Sequence, residues 1–270
     1  MIGYGIFIFL TWFLLKASNS LKVSMNQNIS AAIGISNVKL RCSFIYEQKE
    51  HIHFIKFKAK NKTEENDYFQ IAEFFVPKRQ ENANLTLQGQ YLNGRVELEN
   101  PTTLQNDAVL TLKEVQCIDD NDYICEVQYD IKGPSSIDKS TPTKLLIQSN
   151  ATKPDSITTV SLLSNVSEGQ HVSFICRGNV EKPPGKFIWK KYKYKQTPDI
   201  YTDVVTTWQE VAENCTYYET SNLTVQLTAS DNQATIACVE QSLSSLENMA
   251  VNIGPINVSC KLTVSSYQTI

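Results

Sequence analysis

The sequence predicts an all-β fold: two antiparallel β-sandwiches in tandem behind a leader. Three observations predict it. Val38-Lys39-Leu40-Arg41-Cys42-Ser43-Phe44 and Ala108-Val109-Leu110-Thr111-Leu112 alternate with period two, as strands with one face in a core do. Asp119-Asp120-Asn121-Asp122-Tyr123-Ile124-Cys125 places an acid six residues, and a tyrosine two residues, before a cysteine. In that arrangement the tyrosine hydroxyl closes a corner on upstream backbone and the cysteine crosses to a second sheet. After a polar, proline-bearing stretch the alternation restarts around Cys176.

The chain has 270 residues, enough for two domains of about 100 residues plus a leader. Residues 1–20 read as a signal peptide. Its apolar run, 2–15, is short for a membrane span and right for a leader core, and Ser18-Asn19-Ser20 offers small residues for cleavage before Leu21. The first unit is 21–148. Lys22–Ile35 reads as its first strand with a kink at Gly34, Ile52–Lys58 as its central strand, Tyr68–Phe75 as a further strand and Thr143–Gln148 as its last. Ser149–Asp155 is polar, holds Pro154 and reads as a linker over 149–155. The second unit is 156–270. Glu168–Cys176 is a turn into an alternating strand, Pro183-Pro184-Gly185 a turn, Phe187-Ile188-Trp189 the central strand, and Leu223–Thr228 a strand ahead of Asp231 and Cys238. The end, Thr263–Ile270, reads as a strand end. No second run of about 20 apolar residues appears, so no span is expected.

These residues resemble the immunoglobulin superfamily, and the resemblance covers nearly all of the chain after the leader. It implies inter-sheet disulfides Cys42–Cys125 and Cys176–Cys238, with Tyr123 and Trp189 in the two cores. The 83-residue gap from Cys42 to Cys125 leaves room for the extra strands of a variable-like domain, whereas the 62 residues from Cys176 to Cys238 suit a constant- or intermediate-like one. The first unit lacks the tryptophan of the central strand, so Phe54 or Phe57 must fill its space. The second lacks the tyrosine corner, with Ile236 at that position. In variable-type domains an arginine at the place of Arg95 pairs with the acid at the place of Asp119. Pro183–Trp189 together with Ser230-Asp231-Asn232-Gln233-Ala234 is similar to tandem-domain receptors and secreted proteins of invertebrates, molluscs among them, some of which continue into a fibrinogen-like lectin domain.

Cys117, Cys215 and Cys260 remain, an odd number for a secreted chain. Cys215 and Cys260 lie in one unit and can pair. Cys117 is then an interchain bridge or a buried free thiol. Asn-X-Ser/Thr occurs at Asn28, Asn61, Asn84, Asn150, Asn165, Asn214, Asn222 and Asn257. Eight such acceptors behind a leader predict a glycosylated extracellular surface.

Net charge is −3, which favours neither nucleic acid nor an acidic membrane. No nucleophile elbow, zinc-protease helix, phosphate loop or Cys-X-X-Cys motif is present, so no enzyme activity, metal or cofactor is expected. His51 and His53 share one strand face, too few for a metal. Asp119–Asp122 lacks the glycine and distal glutamate of a calcium loop. Lys190-Lys191-Tyr192-Lys193-Tyr194-Lys195 is read as a solvated strand edge, or as a site for sulfated glycan or an acidic partner.

What the resemblance implies is recognition by surface contact: an adhesion or innate immune molecule, secreted or on the outer side of a cell surface, binding a protein or glycan ligand. In variable-like domains two surfaces bind, the loops at one end and the face of the sheet that holds the central and final strands; here the loops are Tyr46–Ile52, Lys78–Asn84 and Tyr129–Ser136, with Lys132, Gly133 and Pro134 in the last. The alternative is an assembly role. Cys117 then links two chains into a homodimer, and the domain pair is a spacer ahead of an effector domain or anchor.

Overall fold

The computed structural model describes residues 21–45, 51–60, 67–131, 133–161, 163–202 and 204–259. The leader 1–20, Asn61, Lys132, Cys260 and the strand end at 263–270 lie outside them. Among the described residues no helix is long and apolar enough to cross a membrane.

The first sandwich holds β1 (Lys22–Met25), β2 (Ile29–Ala32), β3 (Val38–Ile45), β4 (His51–Lys60), β5 (Tyr68–Phe74), β6 (Asn84–Leu85), β7 (Val96–Glu99), β8 (Asp107–Leu112), β9 (Asn121–Asp130), β10 (Ser136–Lys139) and β11 (Thr143–Gln148). One sheet runs β1-β3-β8-β7. The facing sheet runs β2-β11-β9-β4-β5-β6, with β10 also paired to β9. Alternation buries Val38, Leu40, Cys42 and Phe44 of β3, and Cys42 bonds Cys125 with Cα atoms 6.0 Å apart. Phe57 lies opposite Cys125 in the β4–β9 register and is fully buried, its ring 4.9 Å from Phe74. It therefore fills the tryptophan space, while Phe54 points to the outer face of the sheet.

The first strand departs from expectation. The chain changes sheets between Met25 and Ile29, ahead of Gly34, because Asn26 and Asn28 serve both sheets. Asn26 donates to the Lys39 carbonyl at 3.0 Å and accepts the Arg41 amide at 2.9 Å, whereas Asn28 accepts the Lys144 amide at 2.9 Å. Gly34, at φ 80°, makes the turn after β2.

The second sandwich holds β12 (Ser156–Thr159), β13 (Val166–Ser167), β14 (His171–Val180), β15 (Phe187–Tyr192), β16 (Asp199–Tyr201), β17 (Val205–Val211), β18 (Thr216–Gln226), β19 (Thr235–Glu240), β20 (Val251–Ile253) and β21 (Val258–Ser259). Its sheets are β12-β14-β18-β17 and β16-β15-β19-β20, with β13 paired to β21. Trp189 is fully buried opposite Cys238, which bonds Cys176. The indole N–H needs a partner in the core; it donates to Ser221 Oγ at 3.0 Å.

Each sandwich is closed by one buried carboxylate in a single-turn 3₁₀ segment. In the first, Asp119 is fully buried and accepts two bonds from the Arg95 guanidinium at 2.9 and 3.1 Å. Asp119 also accepts the Gln116 amide at 2.8 Å, and the Tyr123 hydroxyl donates to the Asp119 carbonyl at 2.9 Å. Hydrogen bonding to Asp119 raises the arginine's pKa, and burial followed by the nearby Asp119 charge pushes the Tyr91 hydroxyl up to about 12. In the second, Asp231 accepts the Thr228 amide at 2.8 Å and faces Lys191 at 2.9 Å and Lys193 at 3.1 Å. Lys191 is nearly buried. The basic run is therefore neither a solvated edge nor a ligand site at Lys191: it supplies the cation that Arg95 supplies in the first sandwich.

Burial pushes the Asp231 carboxyl up, but bonds from Lys191, the Thr228 amide and Lys193 outweigh it and hold it at about 2. A carboxylate near about 3.9 when unfolded and lower when folded contributes stability above pH about 4 and loses it as pH falls toward 2. The second sandwich is expected to lose about 2–3 kcal/mol across that window. Asp231→Asn is expected to be less stable at neutral pH and to lose less on acidification. Tryptophan fluorescence follows this, since Trp189 and Trp208 both lie in the second sandwich. An equal acid loss in both proteins would contradict the assignment.

The two sandwiches are clamped end to end. Cys117, in the turn before β9, bonds Cys215, at the β17–β18 hairpin, with Cα atoms 5.3 Å apart. This overturns the expected Cys215–Cys260 pair and both readings of Cys117. The hairpin tip packs against the end of the first sandwich, so Cys215 is buried with the core of that sandwich. Beside the bridge, Lys182 of the second sandwich meets Asp120 of the first at 2.9 Å and its own Glu210 at 2.8 Å. The connecting segment is no free tether. Ser149 pairs with Lys182, the Asp155 amide donates to the Arg177 carbonyl at 2.8 Å, and Pro154 is buried. Gly178 permits this approach: a Cβ there would meet Pro154 Cα at 2.8 Å.

Candidate recognition surface

One end of the first sandwich is occupied by the clamp, and among the described residues nothing of the second sandwich packs on the other end. Strand register brings its loops together. The end of β3 lies beside the start of β8, the start of β4 beside the end of β9, and β5 runs back toward the same end. A cavity of about 140 Å³ opens there, lined by Phe44, His51, Ile52, Val76, Pro77, Lys78, Pro101, Thr102, Thr103 and Asn106. Its floor is apolar and its rim carries His51, Lys78 and threonine hydroxyls.

Hydrogen bonds hold the walls in place before any ligand arrives. Asn100 accepts the Phe75 amide at 2.8 Å and donates to the Glu81 carbonyl at 2.8 Å, tying the segment after β5 to the segment before β8. Thr102 Oγ1 accepts the Leu104 and Gln105 amides at 3.3 and 3.1 Å. On the outer face the Arg79 guanidinium stacks 4.3 Å from the Phe54 ring, which in turn meets Phe75 edge-on at 6.1 Å. Such prior ordering lowers the entropy cost of binding.

The sequence-predicted loops are only partly united. Of Tyr46–Ile52, the described His51 and Ile52 line the cavity; of Lys78–Asn84, Lys78 does. Gly133 and Pro134 are exposed but do not line it. The Tyr129–Ser136 segment flanks it through His53 Nε2, 2.7 Å from Asp130 Oδ2, and is folded back by Gln128 Nε2 donating to Ser135 Oγ at 3.0 Å. The register of β4 against β9 shifts between Ile52 and Phe54. His53 pairs with Asp130, the residue opposite His51 in that register. Among the described residues no cluster of three or more metal-ligating side chains occurs. The wall at 101–106 was missed by sequence reasoning. Its signal was Asn100-Pro101-Thr102, a proline followed by a hydroxyl that folds a turn onto its own backbone. Among the acceptor asparagines, Asn28, Asn84, Asn150, Asn165, Asn214 and Asn257 are exposed and Asn222 is half-buried.

Residues 153–247 match the family model of the CD80-like C2-set immunoglobulin domain. The crystal structure of Rst D1-D2 matches at a TM-score of 0.56 with 16% sequence identity, over 89% of this chain and 99% of that one. The fold is that of two immunoglobulin-like sandwiches in tandem, and the second of them matches the C2-set family. The structure of murine CRIg matches at a TM-score of 0.39 and 16% identity, over 47% of this chain and 98% of that one. No curated protein matches by sequence. The C2-set match falls on the second sandwich, and the cavity falls on the first.

Proposed function

We propose that the chain is an extracellular recognition molecule, carried out of the cell by the leader 1–20, that grips a protein or glycan ligand at the open end of its first domain. The domain limits proposed are 21–148 and 156–270, joined by 149–155. The cavity at the loop end carries the reading: it is preformed, apolar at its floor and polar at its rim, as small binding pockets are. Sugars at the exposed acceptors would cover the flanks, whereas no acceptor falls on 101–106 or 129–136. At about 140 Å³ the cavity suits one inserted side chain or part of one sugar ring.

The test uses the secreted protein, fluorescently labelled, on cells and on arrays of cell-surface proteins and sialylated or sulfated glycans. Thr103→Trp, which fills the cavity, is expected to abolish binding while moving stability by less than about 0.5 kcal/mol, as surface substitutions do. Replacing Gly133 and Pro134 is expected to weaken binding less. Unchanged binding by Thr103→Trp overturns the site. The clamp favours a second reading, a rigid spacer. Linkage of chains through Cys117 is closed to it, because Cys117 bonds Cys215.

A further inference from the structure

We infer that β17 is a docking edge for a second copy of this chain, the two β17 strands joining antiparallel across a twofold axis at Trp208. All seven residues of β17 pair with β18 on one side, and no strand of the described residues pairs with the other. Natural sheets blunt such edges by shortness, lysine, proline or bulges. The other edges obey this: β12 has four residues, β16 and β20 three each, and β7 carries Glu97 and Glu99. β17 reads Val-Thr-Thr-Trp-Gln-Glu-Val, without lysine, proline or register shift. Val205 is 71% exposed and Trp208 58% exposed.

The occupant follows from the order of these residues. A twofold axis at Trp208 sets Trp208 against its copy, Thr207 against Gln209, Thr206 against Glu210, and Val205 against Val211. Apolar residues meet at the centre and both ends, and Glu210, the strand's single charge, faces a threonine. No like charges oppose one another, which is what strand pairing requires. The Trp208 ring is already held by Tyr217, edge-on at 5.1 Å, so little ordering is left to do on docking. β17 itself carries no acceptor asparagine. Asn222 lies opposite Val205 on β18, and its side chain projects from the sheet face rather than along the edge. Antiparallel strands run in opposite directions, so the dimer directs its two loop ends to opposite poles.

The test is the mass of the whole secreted chain by light scattering and sedimentation, with and without N-glycans, up to about 100 µM. A dimer is expected. Val205→Lys is expected to weaken it at least about tenfold, and Val205→Lys with Val211→Glu to restore it, since these positions face each other across the axis. In a Cys260→Ser background, Trp208→Cys is expected to form a reducible covalent dimer with itself. Melting curves confirm that the exposed substitutions leave the fold intact. A monomer at every concentration in both glycan states overturns the inference, as does a dimer indifferent to Val205→Lys.

Discussion

Replacing Arg95 by alanine is expected to destabilise the first domain by about 3–5 kcal/mol, far more than loss of an exposed ion pair. Asp119 has no access to water, and its carboxylate takes both guanidinium bonds. Removing the cation leaves a buried charge uncompensated. The neighbouring tyrosines cannot relieve it: burial and the Asp119 charge raise Tyr91 and Tyr123 further above neutrality. Arg95→Lys is expected to recover part of the loss, since a point charge replaces a two-pronged contact. The double replacement Arg95→Met with Asp119→Asn is expected to cost less than Arg95→Ala. Urea unfolding followed by tyrosine emission and calorimetry measures this. A cost under about 1 kcal/mol for Arg95→Ala would place the pair with surface salt bridges.

Breaking the Cys117–Cys215 bridge is expected to uncouple the two domains. The bridge closes a span of 98 residues, and the chain-entropy model assigns a loop of that order about 4–5 kcal/mol, most of which falls on whichever domain unfolds first. Cys117→Ala with Cys215→Ala is therefore expected to split one calorimetric transition into two. Small-angle scattering should then show a broader spread of inter-domain distances. Adding Lys182→Met removes the remaining ion pair to Asp120 and is expected to widen the spread further. Binding at the loop end should survive, because the cavity lies at the far end of the first domain. Peptide mapping without reduction decides the connectivity directly: the wild-type digest should contain Cys117 joined to Cys215. A peptide joining Cys215 to Cys260 would refute the clamp.

The loops around the cavity were only half legible in the sequence. The resemblance pointed to Tyr46–Ile52 and Lys78–Asn84, and of these His51, Ile52 and Lys78 line the cavity. The wall at Pro101–Asn106 could not be placed, because its role comes from Asn100 reaching across to Phe75 and Glu81. The basic run 190–195 shows the same limit. Alternation puts Lys191, Lys193 and Lys195 on one face; Lys191 and Lys193 do meet Asp231, but the strand ends at Tyr192 and Lys195, at φ 54°, turns onto the Tyr194 ring. Period two also says nothing of what faces the lysines, and Asp231 lies 40 residues downstream of Lys191.

By itself the sequence determined the two sandwiches, the cysteines that pin each, the Arg95–Asp119 closure and the absence of a tryptophan opposite the first bridge. The strands follow from period-two burial, a local property of the chain, whereas the cysteine pairs and the Arg95–Asp119 closure were implied by the resemblance that the short motifs around Cys125, Cys176 and Trp189 carry. The tertiary structure alone decided that Phe57 rather than Phe54 fills the first core, that Lys191 closes the second domain, and that Cys117 meets Cys215. Each depends on which end of one domain is brought against the other, or on the register between distant strands. Contacts of that kind are chosen by packing, and no spacing along the chain encodes them.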